Sequence, residues 1–283
     1  MSAANSSVSS LVDFASDFRR LFVLTGAGIS TGSGIPSYRD AEGNWQRVPP
    51  ITHQQFVGST SMRRRYWSRS MLGWRVTGEA APNAAHHALA RMQRAGRVLR
   101  LVTQNVDGLH HAAGSSDVIE LHGSLHNVIC LGCGGAESRA AIQMLLEAAN
   151  PELLARPAAA APDGDAQLEH GYEQFVIPPC PGCGGTLMPD VVFFGGNIPR
   201  KRVVEAMAAV DGADAVLVVG SSLMVYSGYR LCEQAAAMGK PVVAINRGVT
   251  RADGFLRMKV DADCGEALTR LADAVTAGGD VTA

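Results

Sequence analysis

The sequence predicts an α/β protein: a doubly wound, parallel Rossmann-like sheet with a smaller zinc-binding lobe and a helical insertion. Two observations carry this prediction. Apolar runs recur along the chain, and each run ends in small or polar residues. Helical segments around 84–95, 200–210 and 228–238 lie between several of these runs. Such alternation is typical of doubly wound folds, whose parallel strands are buried on both faces.

The first strand is LFVL at 21–24, and it leads into a glycine-rich turn. Gly26 and Gly28 carry no Cβ, so the backbone there can approach a pyrophosphate closely, and we expect a helix to begin at this turn. A turn that packs a helix tightly onto a strand needs the same glycines. The turn alone therefore leaves nucleotide binding and a structural role open.

The next segment, IPSYRDAEGNWQRVPP at 35–50, does not read as a second strand. An ordinary dinucleotide dehydrogenase carries an acidic residue at the end of such a strand, about 20 residues after the glycines. Pro36, Pro49, Pro50 and Gly43 instead favour a long mobile loop, which we interpret as a lid over a cofactor. A nicotinamide dehydrogenase is therefore disfavoured.

Four later apolar runs end in the same way. VLRLV precedes TQNVDG at 103–108, DVIEL precedes HG at 122–123, DAVLVV precedes GSS at 220–222, PVVAI precedes NRG at 246–248, and a sixth short strand is expected before Cys264. Ligands collect at the carboxyl ends of parallel strands, so these exits predict one shared site. At any single exit, a serine or asparagine also fits a helix cap.

Two cysteine pairs interrupt the sheet. Cys130-x-x-Cys133 and Cys180-x-x-Cys183 are each followed by two glycines, the knuckle form in which backbone amides turn towards thiolate sulfurs. We predict one structural Zn with four thiolate ligands and no open position. Two disulfides are the alternative, disfavoured because nothing marks export. A nucleic-acid-binding zinc ribbon is disfavoured because ARPAAAAPDGDAQLEHGYE, between the pairs, lacks basic and aromatic interleaving.

The composition describes a globular chain with an ample core: 283 residues, 47% hydrophobic, 18% charged, net charge -1. This balance gives no reason to expect nucleic acid as a partner. The first 20 residues hold no hydrophobic stretch long enough for a signal or a membrane span. Asp13 and Asp17 argue against a transit peptide, so we expect a cytoplasmic protein without membrane contact.

The ordered motifs resemble those of the sirtuins over nearly the whole chain: GAGIS, GIPSYRD, TQNVDGLH, ELHG, the two cysteine pairs, PDVVFFG, GSSL and INRG. RYWSRSMLGW at 65–74 and the PDGD-containing insertion are similar to the class II branch, which contains the mitochondrial lipoamidase-type human sirtuin. The resemblance implies an enzyme that consumes NAD as a co-substrate. It would remove the acyl group from acylated lysine in a protein or peptide, yielding nicotinamide, O-acyl-ADP-ribose and unmodified lysine.

The resemblance also implies a division of the chain. We expect residues 1–34, 88–122 and 190–283 to form the Rossmann-like NAD-binding domain. Residues 35–87 would form the cofactor loop and helical module, and residues 123–189 the zinc-binding module. The oligomeric state is not predicted.

Site residues follow from the same resemblance. His122 matches the catalytic base, and an imidazole with a pKa of about 6.5 can accept a ribose hydroxyl proton near neutral pH. Asn105 and Asp107 match residues that line the nicotinamide and ribose pocket. The matched cofactor contacts are Gly26, Ala27, Gly28, Ser30, Tyr38, Arg39, Gln104, Asn105, Asp107, Gly220, Ser221, Ser222, Asn246, Arg247, Gly248 and Cys264.

The acylated substrate is expected to enter between the lobes, beside Val192, Phe193 and Gly195, where an extended peptide could add a strand. Relatives often carry Phe-Gly-Glu where this chain has FGG at 194–196, so an acidic contact to the peptide is missing.

Tyr66 and Arg69 resemble the pair with which desuccinylating sirtuins hold a terminal carboxylate, which a planar guanidinium can bind bidentately. A solvated helix face in this arginine-rich segment is the alternative. If the pair holds a carboxylate, longer or acidic acyl groups are preferred over acetyl.

Two other functions remain open at this stage. A mono-ADP-ribosyltransferase would use the same activated ribose with another nucleophile. A non-enzymatic NAD-sensing module would use the zinc lobe to dock a partner.

Overall fold

The computed structural model describes residues 7–46, 50–155 and 170–276. Pro49 and the PDGD segment lie outside the described residues. The larger sheet contains β1 (Leu21–Thr25), β2 (Val98–Thr103), β3 (Ile119–Glu120), β7 (Ala215–Val219), β8 (Val242–Ile245) and β9 (Met258–Val260). Within the described residues these six strands are parallel, in the order β3-β2-β1-β7-β8-β9. The predicted parallel sheet is confirmed.

Side-chain alternation along the strands builds one core on each side of this sheet. Leu21 and Val23 pack on one side, and Phe22 and Leu24 pack on the other. The first side is covered by α1 (Val8–Asp17), α4 (Ala84–Arg94) and α9 (Cys264–Thr276), and the second by α7 (Arg200–Gly212) and α8 (Tyr226–Ala237). Every residue of β1, β7 and β8 is buried, so these segments read as continuous apolar runs.

A smaller antiparallel sheet holds β4 (Gly123–Cys130), β5 (Ala136–Ser138) and β6 (Leu187–Val191), paired in the order β5-β4-β6. The helices α2 (His53–Gly58), α3 (Thr60–Thr77) and α6 (Arg139–Ala149) share a third apolar core with this sheet. Trp67 and Phe56 are fully buried in it. In the described parts of the chain, no helix has the length and apolar character needed to cross a bilayer.

The glycine-rich turn after β1 differs from its prediction, because no α-helix begins there. Two short 3₁₀ turns follow instead, Ala27–Ile29 and Thr31–Ser33. Gly34 ends the second turn in the left-handed conformation, with φ of 83°. The crossover helix is α4, whose start is set fifty residues further on by a capping box between Asn83 and His86.

Two of the expected domain boundaries fall inside regular elements. The helix α4 runs across the boundary at 87/88, because its capping residue lies at Asn83. The strand β6 runs across the boundary at 189/190, because Val191 still pairs with Gly123 of β4. The small sheet and the helices around Trp67 pack into one core, so the zinc-binding and helical modules are joined.

Two buried histidines, His86 and His110, lie in ring contact between the start of α4 and the ends of β1 and β2. The N–H of Asn83 donates to Nδ1 of His86 at 3.3 Å. The hydroxyl of Thr25 donates to the hydroxyl of Thr103 at 2.8 Å. Because Thr25 has no second proton to donate, the N–H at Nε2 of His110 donates to Thr25, also at 2.8 Å. The two imidazole centroids lie 4.9 Å apart. Burial lowers the pKa of His86 to about 4 and that of His110 to about 3.

We expect these two histidines to make the fold acid-sensitive. Both stay neutral in the folded protein, whereas in the unfolded chain they titrate near the ordinary histidine pKa of 6.5, so below that pH the unfolded state binds more protons. The free energy of unfolding should fall as the pH drops from about 6.5 towards about 4, by up to ~1.4 kcal/mol per pH unit for each histidine. Urea denaturation at a series of pH values measures this slope.

A double variant with His86→Phe and His110→Phe should show a shallower slope, because neither ring can then take up a proton. The matched control is His87→Phe, which changes an exposed histidine on the same helix and should keep the wild-type slope. Equal slopes in the two variants would contradict the assignment.

Candidate active site and metal centre

The strand order reverses between β1 and β7, since the chain leaves β1 for β2 and β3 on one side and leaves β7 for β8 and β9 on the other. Open parallel sheets bind ligands at such a switch point. A cavity of about 640 Å³ opens there, at the carboxyl ends of the strands and against the small lobe. Its volume lies within the ~300–1,000 Å³ range of small-molecule sites.

Most of the residues predicted from the sequence line this cavity. They are Gly26, Ala27, Gly28, Ser30, Tyr38, Arg39, Tyr66, Gln104, Asn105, Asp107, His122, Val192, Phe193, Gly195, Gly220, Ser221, Ser222, Asn246, Arg247 and Cys264. Apart from Tyr66, which lies on α3, they follow β1, β2, β3, β6, β7, β8 and β9, so the predicted strand exits do meet at one place. Among the described residues, Arg69 and Gly248 were also predicted for the site but do not line the cavity.

Gly248 has a structural role instead. Its φ is 80°, and a Cβ placed there would lie 2.2 Å from the carbonyl oxygen of Ala41. The neighbouring N–H of Val249 donates to the same oxygen at 2.9 Å. The missing side chain therefore lets the loop after β1 pack against the loop after β8.

The two glycines of the first turn are also needed for protein packing. The N–H of Gly28 donates to the carbonyl of Gly220 at 2.8 Å. A Cβ on Gly28 would lie 2.9 Å from that oxygen, and a Cβ on Gly26 would lie 2.7 Å from Cβ of Ser221. The loop after β7 therefore already makes the close approach that these two glycines permit. The same turn thus packs against the loop after β7 and lines the cavity.

A buried polar cluster fixes the wall of the cavity after β2. Ser30 donates its hydroxyl to Oδ2 of Asp107 at 2.7 Å, and the side-chain amide of Asn105 donates to Ser30 at 3.0 Å and to the carbonyl of Gly26 at 3.2 Å. The other oxygen of Asp107 accepts from the N–H of Leu109 at 3.0 Å, at the start of α5 (Leu109–Ala112). Asp107 was predicted to line the nicotinamide and ribose pocket. In this structure it holds Ser30 and Asn105 in place.

His122 follows β3, and its ring is held from both sides. Nδ1 lies 2.8 Å from the carbonyl oxygen of Gln104, and Nε2 lies 2.8 Å from Oγ of Ser227. A carbonyl only accepts hydrogen bonds, so Nδ1 carries the proton and Nε2 of the neutral ring carries the lone pair. Nε2 is therefore the basic atom of this histidine. The ring also lines the cavity, as the predicted base must.

The electrostatic surroundings keep this base neutral. Burial lowers the pKa of His122, the hydrogen bond to the Gln104 carbonyl raises it, and the positive charges of Arg202 and Arg230 lower it further. The pKa of His122 is therefore lower than that of an ordinary histidine. A neutral imidazole can take a proton, so the shift favours the role of a base at neutral pH.

The aromatic residues of the loop after β1 pack together over one side of the cavity. Tyr38 lies edge-on to Trp45 and to Phe194, at centroid distances of 6.2 and 6.3 Å. The guanidinium of Arg39 lies 4.2 Å from the centre of the Trp45 ring and donates to the carbonyl of Gly43 at 2.6 Å. Arg39 was predicted as a cofactor contact; it lines the cavity, and its guanidinium braces its own loop.

The predicted peptide-binding segment, 192–196, already pairs with another part of the chain. The N–H of His53 donates to the carbonyl of Phe194 at 2.9 Å, and the side-chain amide of Gln54 donates to the carbonyl of Gly195, also at 2.9 Å. A Cβ on Gly195 would lie 2.8 Å from the Gln54 side chain. One edge of this segment is thus bound to the start of α2.

Tyr66 and Arg69 lie three residues apart on α3, and only Tyr66 lines the cavity. Tyr66 is 4% exposed and packs edge-on against Phe56 and Phe193, at 5.4 and 5.3 Å. Residues three apart differ by about 60° around a helix, so the two lie on the same side of α3. Tyr66 lines the cavity, whereas Arg69 is half-buried and does not line it.

The four predicted metal ligands come together in the small lobe. Their sulfur atoms lie within 4.8 Å of one another, with Cys130–Cys183 at 3.5 Å and Cys133–Cys180 at 3.9 Å. A tetrahedral Zn site with bonds of about 2.3 Å needs sulfur–sulfur distances of about 3.8 Å. A disulfide needs about 2.05 Å. The cluster therefore fits a closed tetrathiolate zinc site, and the disulfide alternative does not match.

Backbone amides turn towards these sulfurs, as the knuckle form predicts. The N–H of Gly132 donates to Cys130 at 3.3 Å, and those of Gly135 and Gly185 donate at 3.4 Å to the second cysteine of each pair. Donation from the amides of Cys133 and Gly132 lowers the pKa of the Cys130 thiol to about 6. The amide of Gly185 lowers the pKa of Cys183, but the neighbouring thiols raise it to about 12, so the four thiols titrate as one group. Such donors favour the thiolate, which is the form that binds zinc.

Two residues that position the site were missed from the sequence. Ser227 touches the base, yet it reads as an ordinary serine near a helix start. His126 lies on β4 and donates from Nε2 to the carbonyl of Asp107 at 3.0 Å. His126 reads as an ordinary polar residue on a half-buried strand, so the sequence gives no signal for this contact.

The fold and the site together define a nucleotide-binding α/β protein with a tetrathiolate lobe, and the comparisons give its family. A profile of the Sir2 family matches residues 26–227. An NAD-dependent protein deacetylase of Bordetella bronchiseptica is 55% identical over 272 residues, covering 96% of this chain and 99% of that protein. This chain belongs to the Sir2 family.

Solved structures agree with this assignment. A Sir2 enzyme structure aligns with a TM-score of 0.76 at 30% identity, covering 95% of this chain and 98% of the other. A complex of a Sir2 protein with a p53 peptide and NAD+ aligns with a TM-score of 0.72 at 28% identity, covering 98% and 100%. The predicted sirtuin resemblance is confirmed. The class II assignment stays a prediction.

We expect the purified protein to bind one zinc ion per chain through the four cysteines. Cys183→Ser, or treatment with a strong chelator, should remove the metal. The Tm should then fall by more than about 10 °C, because the small lobe loses the ion that joins its four cysteines. Atomic emission spectroscopy and circular dichroism measure the two effects. Cys232→Ala, in a separate core, should keep one zinc; equal metal loss in both variants would contradict the assignment.

Proposed function

We propose that this protein is an NAD-dependent protein-lysine deacylase, which releases nicotinamide and O-acyl-ADP-ribose and leaves unmodified lysine. The observation that carries the proposal is the held tautomer of His122, whose basic Nε2 lies at the wall of a cavity between the two sheets. Relatives more than half identical over nearly their whole length are named NAD-dependent protein deacetylases. Deacetylation is therefore the reaction to test first.

The residues of the cavity fit NAD as a co-substrate. The loops after β1 and β7 meet at the switch point, where dinucleotides bind in such folds. Asn246 and Arg247 line the cavity at the exit of β8, and Cys264 lines it at the start of α9. These residues would hold the adenosine end, and the cluster of Asn105 and Asp107 would hold the nicotinamide end.

In this reaction His122 and the side chains near it have separate roles. NAD, when bound, supplies the ribose that receives the acyl group, with nicotinamide leaving. His122 accepts a ribose hydroxyl proton at Nε2, a step that typically contributes about 10²–10⁴-fold. Asn105 presents its amide from a position fixed by Ser30. Tyr38 and Trp45 cover the cavity and exclude water.

We also propose that longer or acidic acyl groups are accepted in preference to acetyl. The support is the wall beside Phe193, where Tyr66, Ile51, Leu125 and Val191 line the cavity. An apolar wall of this kind stabilises a longer acyl chain by about 0.8 kcal/mol for each buried methylene. Arg69 follows Tyr66 on α3, and its guanidinium would turn towards the carboxylate of an acidic acyl group.

The proposed reaction is tested by mass spectrometry of acetyl-, succinyl-, glutaryl-, 3-hydroxy-3-methylglutaryl- and lipoyl-lysine peptides, incubated with and without NAD. We expect acyl loss that needs NAD, with O-acyl-ADP-ribose as the second product. His122→Ala should reduce the rate at least about 10²-fold, because the base is removed. No loss from any peptide would overturn the proposal, and a mass gain of one ADP-ribose on protein would favour ADP-ribosyl transfer.

The acyl preference is tested with Arg69→Ala in the same assay. Arg69→Ala should slow succinyl removal about tenfold or more and leave acetyl removal unchanged, because only the acidic acyl group needs a guanidinium. Arg64→Ala, an exposed arginine on the same helix, is the matched control and should change neither rate. Equal succinyl turnover by wild type and Arg69→Ala would exclude Arg69.

A further inference from the structure

We propose that Ser227 is a positioning residue for His122: its hydroxyl donates to Nε2 before substrate binds, and accepts from Nε2–H once the base has taken a proton. This inference rests on the proposed function, because it concerns the same base. Ser227 is the second residue of α8, and it lines the cavity. Its Oγ lies 2.8 Å from Nε2.

The direction of this hydrogen bond follows from the other side of the ring. Nδ1 must donate to the Gln104 carbonyl, so Nε2 of the neutral imidazole has only a lone pair to offer. Ser227 is therefore the donor in the neutral state. Gln104 is itself held in place, since Ser221 donates to its side chain at 2.7 Å.

The start of α8 is fixed against the same glutamine. Gly228 follows Ser227, and a Cβ there would lie 2.6 Å from the side-chain nitrogen of Gln104. The glycine allows the helix to approach Gln104, whose carbonyl orients His122. Gln104 thus supplies the carbonyl that meets Nδ1, and its side chain packs against the start of α8, which carries Ser227. The contact between Ser227 and His122 is built into the packing of α8.

A ribose hydroxyl must compete with Ser227 for the base. A ring nitrogen has one lone pair, so it cannot accept from both hydroxyls at once. The ligand hydroxyl would take the place of Ser227, whose side chain moves by rotation about a single torsion. The proton then leaves the ribose hydroxyl and forms Nε2–H, while the electron pair of the broken O–H bond stays on oxygen.

After this transfer the ring is an imidazolium with two N–H donors. Nδ1–H keeps the Gln104 carbonyl, and Ser227 offers an oxygen to Nε2–H. Hydrogen bonds to ionised groups are about twice as strong as neutral ones. The contact with Ser227 therefore favours the protonated ring more than the neutral one.

The positive charges near the ring make an acceptor at Ser227 important for the protonated form of His122. Arg202 on α7 and Arg230 on α8 are the charged groups that act on His122, and both disfavour its protonated form. Asp190 of β6 lies 3.7 Å from Arg202 rather than beside the ring. Since Nδ1 faces a carbonyl instead of a carboxylate, the imidazolium depends on neutral oxygens for its stability.

The test compares Ser227→Ala with Ser227→Thr, which keeps a hydroxyl, and with Glu233→Ala, an exposed change on the same helix. Ser227→Ala should lower kcat about tenfold, the size expected for one hydrogen bond to a charged group. The KM for NAD should stay equal or fall, because no internal hydrogen bond has to be displaced. Ser227→Thr should recover most of the rate, and Glu233→Ala should match the wild type.

The pH profile separates this role from a purely structural one. Loss of an acceptor for the imidazolium lowers the pKa of His122, so the acidic limb of kcat/KM should move to lower pH in Ser227→Ala. A fall in kcat without that movement would overturn the proposal. Equal losses in the alanine and threonine variants would also overturn it, because the hydroxyl would then not matter.

A measurement without turnover keeps this inference separate from the proposed function. In ¹⁵N-histidine NMR, the His122 resonances are identified by their absence from His122→Ala. We expect the titration midpoint of His122 to fall in Ser227→Ala and to return in Ser227→Thr, whether or not any peptide is deacylated. An unchanged midpoint would overturn the role of Ser227, and absent acyl loss in the wild type would overturn only the reaction.

Discussion

The structure depends most on a backbone contact across the switch point of the large sheet. The N–H of Gly28 donates to the carbonyl of Gly220 at 2.8 Å, joining the turn after β1 to the turn after β7. A Cβ on Gly220 would lie 2.3 Å from the backbone nitrogen of Ile29, so neither turn tolerates a side chain at this crossing. This contact sets the floor of the cavity. The loops carrying Asn105, His122 and Asn246 then converge on that floor.

A second constraint runs along β4, which connects the metal centre to the site. The strand begins directly after His122 and ends at Cys130, one of the four thiols. Midway, the N–H of Leu125 donates to the carbonyl of Val106 at 2.8 Å, and His126 donates to the carbonyl of Asp107. The zinc lobe thus braces the loop after β2 through one strand. A cluster with no open ligand position can in this way affect a cavity that it does not touch.

Much of the fold was predictable, and for a physical reason. Central strands of a parallel sheet bury both faces, so LFVL and AVLVV stand out as apolar runs. Cysteine spacing predicted the metal cluster because a knuckle is a local structure. The misplaced helix after Gly28 shows the limit of such reasoning. Short 3₁₀ turns occupy that position, and the cap that starts α4 lies at Asn83.

The sequence by itself determined the parallel strands, the four thiols and the glycines of the first turn, since each depends on local chemistry or on burial along one strand. Only the tertiary structure decided that Gly248 serves packing, that Arg69 does not line the cavity and that Ser227 contacts His122. These outcomes join residues up to 207 positions apart along the chain, as between Ala41 and Gly248. No local pattern records such contacts, because they arise when separate loops pack against one another.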